Sequence, residues 1–524
     1  MASIVNHHRV DDAGLGALRQ PRQDIVAENA AGEDRFELAH GPFRRYRRTL
    51  EVRSEAAGAT HQVTERIEFS VAAALWRPLL TWPVRRALRR PRRPGWQPWW
   101  APPERLSSAQ STTLALLTAL NLVSAYLGTT LSQTLTFVAD DFNADPGAQG
   151  LVLAVARVGV VVTLAATALA DRAGRRLVRP LLTVACLILA TTALAPSLAL
   201  FGLAQTLTRG LTTGVDIVIL VLAAEMMPAR CRAWAASIIT LVGGLGSGMV
   251  VWLLPLADRS EGAWRLLYLP PLLFAPLVWW AGRRLPESGR FEAARASRAE
   301  PRSPDRAKPT GIRAVRGRLV LLGLAAFLLL AFAAPAGQFQ NEFLRSERGY
   351  TAARITLFTL VTSTPAGVGV FLGGRLAERY GRRAIGATGI CLGTICTATA
   401  YFSFGWTLWL WSVAGTITAG LTVPAMRVYG PELFPTHLRS RANGITTVAG
   451  VSGSATGVLL TGMLADRAGS LSWPIAMLAV GPIIVAILVI SVYPETARRT
   501  LEELNPEDAP LDDAPIPGAP THPQ

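Results

Sequence analysis

The sequence predicts an all-α polytopic membrane protein: twelve transmembrane helices in two six-helix bundles related by a parallel repeat. Three observations predict it: an apolar composition, long apolar runs separated by arginine-bearing loops, and an internal duplication. Of the 524 residues, 50% are hydrophobic and only 17% charged, with a mean hydropathy of +0.31. A water-soluble chain carries about 25% charged residues. A helix crossing about 30 Å of hydrocarbon needs roughly 20 mostly apolar residues.

Composition also excludes several chemistries. Cys186, Cys231, Cys391 and Cys396 are too few for a disulfide scaffold and lack CxxC spacing. The six histidines are scattered, so no metal site is expected. Lys308 is the only lysine and Pro309 follows it, which excludes the GxxxxGK[ST] phosphate loop. No nucleophile–base constellation is present, so the chain reads as a non-enzyme without cofactors. The net charge of +16 comes almost wholly from arginine. In a chain of apolar spans this fits cytoplasmic loops and not a nucleic-acid surface.

Spans are expected near 112–138, 148–170, 177–196, 198–224, 234–256 and 264–283, then near 318–340, 353–377, 384–404, 406–430, 442–464 and 473–493. Arginines follow the even-numbered spans: Arg172, Arg175, Arg176 and Arg179, then Arg230 and Arg232, then Arg379, Arg382 and Arg383, then Arg439 and Arg441. The alternate loops are poorer in arginine, apart from three in 345–354. The positive-inside bias therefore predicts a multi-pass protein of the cytoplasmic membrane with both termini cytoplasmic. No cleavable signal peptide is evident.

The duplication has a nearly constant offset. Asp171-Arg172-Ala173-Gly174-Arg175-Arg176 recurs 207 residues later as Glu378-Arg379-Tyr380-Gly381-Arg382-Arg383. Glu225, Pro228 and Arg232 recur at the same offset as Glu432, Pro435 and Arg439. Leu256-Ala257-Asp258-Arg259 and Pro286-Glu287-Ser288 recur at 208 as Leu464-Ala465-Asp466-Arg467 and Pro494-Glu495-Thr496. Several pairs in order at one spacing imply two homologous halves.

On these motifs, over about 111–500, the chain resembles a major facilitator superfamily transporter, closest to the sugar-porter and metabolite–proton symporter branches. One departure is Thr167, where the family's usual glycine stands; the second copy has Gly374. The resemblance implies a secondary active transporter that moves a small organic solute, a sugar or organic acid, by alternating access with proton coupling. Drug efflux, or a transport-inactive sensor of the same fold, is the alternative. It also implies that Asp171, Glu225, Glu378 and Glu432, with the neighbouring arginines, latch the halves together in the outward-facing state. A topology signal with headgroup contacts is the other reading. The partners expected are a small-molecule substrate, protons and the bilayer; the protein is expected to be a monomer and to bind no nucleic acid.

Ionisable residues inside spans are costly and functional by default. Arg209 and Asp216 are seven apart in span 4, on one helical face. Asp216 is the best candidate proton carrier; a fixed ion pair is the alternative. Arg157 in span 2 either anchors an anion or pairs with Asp216. Arg427 is read as snorkelling to the cytoplasmic interface. Asn121, Tyr126 and Gln133 in span 1, and Gln338 and Asn341 near span 7, are candidate substrate-binding residues. Gly243, Gly244, Gly246 and Gly248 follow no strand and read as close helix packing.

Residues 1–110 form a cytoplasmic N-terminal extension. Its first 35 residues read as disordered, 46–53 and 61–71 as a β-hairpin, and Trp76 to Arg93 as an arginine-rich amphipathic segment on anionic headgroups. The first bundle is 111–283, the inter-bundle loop 284–317 and the second bundle 318–495. The acidic, proline-rich tail 496–524 reads as disordered.

Overall fold

The computed structural model describes residues 2–54, 60–90, 97–142, 152, 155–156, 159–253, 256–257, 260, 262–287, 315–340, 343–350, 352–436, 438–499 and 501–505. These form two compact units: Met1–Ala119 with Met226–Cys231, and Leu120–Glu225 with Arg232–Gln524. Residues 288–314 of the inter-bundle loop, and the tail from residue 506, lie outside the described residues.

The first unit corrects the expectation of a disordered start. Strand β1 (Ala2–Val10) and a helix (Asp12–Arg19) open the chain, followed by β2 (Ala27–Gly32), β3 (Arg35–His40), β4 (Phe43–Ser54) and β5 (His61–Val71). The antiparallel sheet has the order β1-β5-β4-β3-β2. Strand β5 shows why a sheet forms here. Val63, Glu65, Ile67, Phe69 and Val71 are buried while their neighbours are more exposed, the period of two of a sheet buried on one face. The helix Asp12–Arg19 is capped by Asp11, whose Oδ1 accepts from Gly14 N–H at 2.8 Å. Its Leu15 packs with Phe36, Leu50 and Val63.

Charges sit between the two apolar clusters of this unit. Arg48 lies 2.7 Å from Glu28 and 3.7 Å from Glu65, all three buried, with its guanidinium 3.7 Å from the Phe36 ring centroid. Tyr46 donates to Glu28 Oε1 at 2.6 Å. Burial, with the Glu28 carboxylate adjacent, pushes the Tyr46 phenol well above its ordinary range. Such a charged group tolerates burial because its lone pairs and protons are matched.

The amphipathic segment is a helix, Arg77–Leu88, whose Val84, Ala87 and Leu88 complete the sheet's apolar cluster. Ser107 and Gln110 then cap the long helix Ser108–Asp141 reciprocally: Gln110 N–H donates to Ser107 Oγ at 3.2 Å, and Ser107 N–H to Gln110 Oε1 at 2.9 Å.

The second unit is helical. Among the described residues, nine helices are long and apolar enough to cross a membrane, and Val160–Ala170 and Val178–Thr192 are shorter apolar ones. The first span lies at Ser108–Thr134, four residues earlier than expected. The predicted eighth span divides into Ala352–Ser363 and Ala366–Tyr380 around Pro365, whose ring nitrogen has no hydrogen to donate to the preceding turn.

The small residues let backbones approach. A methyl group on Gly246 would overlap the Leu122 carbonyl, and one on Gly453, its repeat counterpart, the Phe327 carbonyl. The same helix contact is thus made in each half; of the glycine run of span 5, Gly243 and Gly246 serve packing, whereas Gly244 and Gly248 meet no neighbour among the described residues.

Two of the three arginines in 345–354 also have a structural account. Arg348 donates to Ser403 O at 3.0 Å and Tyr401 O at 2.8 Å. Its guanidinium sits 4.3 Å from the Phe343 ring centroid and 4.0 Å from that of Phe404. Arg354 lies over the Tyr350 ring at 4.1 Å. These two cations are committed to carbonyls and rings, so they do not report loop sidedness.

Candidate functional site

Three arrangements in the second unit bear on function: a crossed set of ion pairs, a half-buried carboxylate inside a long apolar helix, and a cavity.

The ion pairs arise where spans end. Glu225 closes the turn before Pro228, and Arg232 opens the helix Arg232–Leu253; Glu432 and Arg439 repeat this. The pairing crosses between copies. Arg439 Nη1 lies 2.9 Å from Glu225 Oε1, and Arg232 Nη1 lies 3.1 Å from Glu432 Oε1, all four side chains excluded from solvent. Glu432 also pairs with Arg382, which reaches Glu378 Oε1 at 3.1 Å. Glu378 Oε1 accepts from Ala233 N–H at 2.6 Å, in the first turn of the helix Arg232–Leu253. A carboxylate there faces the positive end of the helix dipole. Glu495 accepts from the N–H groups of Arg382 and Arg383 at 3.0 and 3.2 Å, capping the next helix likewise. Gly381, at φ 95°, makes the turn between them, as Gly174 does in the first copy at φ 91°. Arg379 lies against Tyr380, and Arg176 approaches Glu287 at 3.9 Å with its side chain exposed. The side chains of Asp171, Arg172 and Arg175 lie outside the described residues.

Thr167, the departure from the family pattern, is matched across the repeat. A methyl group on Gly444 would meet Thr167 Oγ1 at 2.6 Å, and one on Gly374 would meet Ser237 Oγ at 2.5 Å. Gly374 is the repeat counterpart of Thr167, and Gly444 that of Ser237. Each contact keeps one side chain and one glycine, on opposite partners.

Asp216 lies half-buried in the helix Leu198–Met226, and its Oδ1 has no hydrogen-bond partner among the described residues. Ser124 Oγ donates to Thr212 O, on the same helix as Asp216, at 3.3 Å. Arg427 is exposed, and its Nη1 donates to Thr240 Oγ1 at 3.2 Å, from the second half to the first. Arg209 is exposed on the same helix as Asp216. Arg157 and Asn341 lie outside the described residues.

Two substrate-binding candidates bond to carbonyls of other helices. Asn121 Nδ2 donates to Ile239 O at 2.9 Å, filling the space that Gly243 leaves. Tyr126 Oη donates to Leu267 O at 2.7 Å from a fully buried position. Gln133 is half-buried, and Gln338 is exposed at the end of the helix Arg316–Gln338.

A cavity of about 420 Å³ opens within the second half, lined by Phe332, Gln340, Thr394, Thr397 and Thr422 among others. Among the described residues, none that lines it is Asp, Glu, Lys, Arg or His. Thr422 Oγ1 is buried without a hydrogen-bond partner among the described residues. A buried hydroxyl left so is costly unless a partner arrives. Sequence reading missed it, because a threonine in an apolar helix carries no pattern of its own. Tyr401, also in the lining, is already committed to Ala336 O at 2.7 Å.

Comparisons with known proteins agree with this architecture. The family model described as Major Facilitator Superfamily matches residues 114–340 and 336–517. A probable 4-methylmuconolactone transporter of Cupriavidus pinatubonensis is 25% identical over 308 residues, which is 56% of this chain and 69% of that protein. The inner membrane transport protein YnfM of Escherichia coli is 24% identical over 189 residues, 35% of this chain and 43% of that one. Among solved structures, the proton:xylose symporter XylE bound to 6-bromo-6-deoxy-D-glucose superposes with a TM-score of 0.64 at 16% identity, covering 77% of this chain and 99% of that chain.

Proposed function

The chain belongs to the major facilitator superfamily, and from that premise we propose that it is a proton-coupled secondary transporter of a small organic solute, working by alternating access in the cytoplasmic membrane. Its twelve spans then form two six-helix bundles, with both termini cytoplasmic.

The observation that carries this reading is the crossed pairing of Glu225 with Arg439 and Glu432 with Arg232. Buried ion pairs between repeat copies hold the halves together at the ends where the arginine loops lie. Separating them opens that side. A buried pair is worth little against a well-packed apolar contact but much against its own broken state. That suits a two-state latch better than a permanent join.

Asp216 is the proton carrier in this mechanism. Neutral, it leaves Arg427 to Thr240; charged, it draws that cation. One proton crossing 100 mV supplies about 2.3 kcal/mol. The solute occupies the Thr422 cavity. Its described lining residues, mostly apolar and uncharged, suit a compound with a compact apolar body and a few oxygen acceptors, the class to which a lactone belongs. Proton-driven efflux of apolar drugs is the second reading, favoured by the same lining.

Proteoliposome flux tests the proposal. A pH gradient should drive saturable accumulation; Asp216→Asn should abolish uphill accumulation and spare counterflow exchange. Saturable binding with no flux in either direction would make the protein a sensor instead.

A further inference from the structure

The helix Arg77–Leu88 is apolar on two sides for different reasons. One side, with Val84, Ala87 and Leu88, is filled by the sheet. The other carries Leu79, Trp82, Arg85 and Arg86, with Arg89 and Arg90 just beyond the helix end, and all six are exposed. At 100° per residue they fall on a single face. Leu79 is 70% exposed and Trp82 67%, an apolar pair that a water-facing helix would not favour. No acidic residue occurs between Glu68 and Glu104.

A second observation fixes where this helix lies. Trp76, which precedes it, donates from Nε1 to Thr118 Oγ1 at 2.9 Å and Ala115 O at 3.2 Å. Ala115 and Thr118 belong to the candidate membrane span Ser108–Thr134. The start of the helix is therefore bonded to buried residues near the beginning of a candidate membrane span.

We propose that this face is an interfacial anchor: Leu79 and Trp82 enter the headgroup–acyl boundary of an anionic bilayer, and Arg85, Arg86, Arg89 and Arg90 engage its lipid phosphates. The chemistry follows from the side chains. Trp and Leu partition into the boundary, and basic residues gain from a negative surface potential that falls off within about 10 Å. The cytoplasmic sheet unit is thereby held at the membrane on a lipid-dependent contact, independently of the transport reading.

The test uses the full chain in nanodiscs, with a nitroxide on Leu79→Cys. The wild-type chain, whose Cys186, Cys231 and Cys396 are buried, sets the labelling background. In discs of phosphatidylcholine with phosphatidylglycerol, the label should be reached by oxygen and shielded from a water-soluble nickel chelate. The oxygen-to-nickel ratio should drop by about fivefold in phosphatidylcholine alone, the factor that one basic residue near such a surface supplies. The same drop is expected on replacing the four arginines with glutamine. If those replacements prevent folding, the comparison between lipids still decides. Equal nickel access in both discs overturns the proposal. Shielding from both reagents with spin–spin broadening also overturns it, because a second copy then covers the face.

Discussion

Arg439 donates to Glu225 across the repeat, Nη1 to Oε1 at 2.9 Å, while their sequence copies Arg232 and Glu432 make the matching pair at 3.1 Å. Each half thus supplies one acid and one base to the other. Glu225→Gln leaves the Arg439 guanidinium without its carboxylate and should cost about 3–5 kcal/mol in this conformation. Exchanging the charges, Glu225→Arg with Arg439→Glu, should recover part of that. Thermal unfolding of the purified variants checks both, and cysteine accessibility on the arginine-loop side should rise in the single variant alone.

The Thr167–Gly444 contact predicts a suppressor pair. Gly444→Ser places a Cβ where Thr167 Oγ1 lies at 2.6 Å, so it should lower the melting temperature and the yield of monodisperse protein. Adding Thr167→Gly should restore both, recreating the arrangement of Gly374 and Ser237. No rescue by the second substitution would refute the size-exchange account.

Thr422 is the cavity hydroxyl with no partner among the described residues. Thr422→Val keeps the shape and removes the hydroxyl. If the solute's oxygen bonds to it, apparent affinity should fall by roughly tenfold, as a lost hydrogen bond of about 1–1.5 kcal/mol implies. The melting temperature of the ligand-free protein should hold or rise. Uptake kinetics and a thermal scan separate the two.

Arg348 tests whether a planar cation is needed between two rings. Arg348→Lys keeps the charge but loses the stacking on Phe343 and Phe404 and the forked bonds to Ser403 and Tyr401. It should destabilise by about 2 kcal/mol, read as a lower melting temperature.

Tyr46 gives the sheet unit a pH dependence. Its phenol is raised in the folded state, so its contribution is fully present below the unfolded value near pH 10. Above that, the unfolded chain releases a proton that the folded one keeps, and stability falls as pH rises. Hydrogen exchange of the full chain across pH 9 to 11 should show β2 to β5 loosening. Tyr46→Phe should remove most of that slope.

What could be read from residue order was whatever repeats or runs. Apolar stretches located the helices, and the recurrence of Glu225 and Arg232 as Glu432 and Arg439 showed a duplication. The crossing of those pairs was not legible, because identical spacing in both copies fits pairing within a copy as well as between them. Asn121 and Tyr126 looked like binding groups, since a polar side chain in a span is informative without revealing which carbonyl it meets. Strand β1 escaped notice because Ile4 is its single buried residue, whereas β5 buries alternate positions along its whole length.

The exchange of bulk between Thr167 and Gly374 makes neither half complete by itself. A chimaera joining residues 111–283 to the second half of another transporter with glycine at both sites and serine at both facing positions would set Thr167 against that serine. Hybrids built at the central loop should therefore fail in one direction of grafting and survive in the other, an asymmetry that a symmetric duplication would never show.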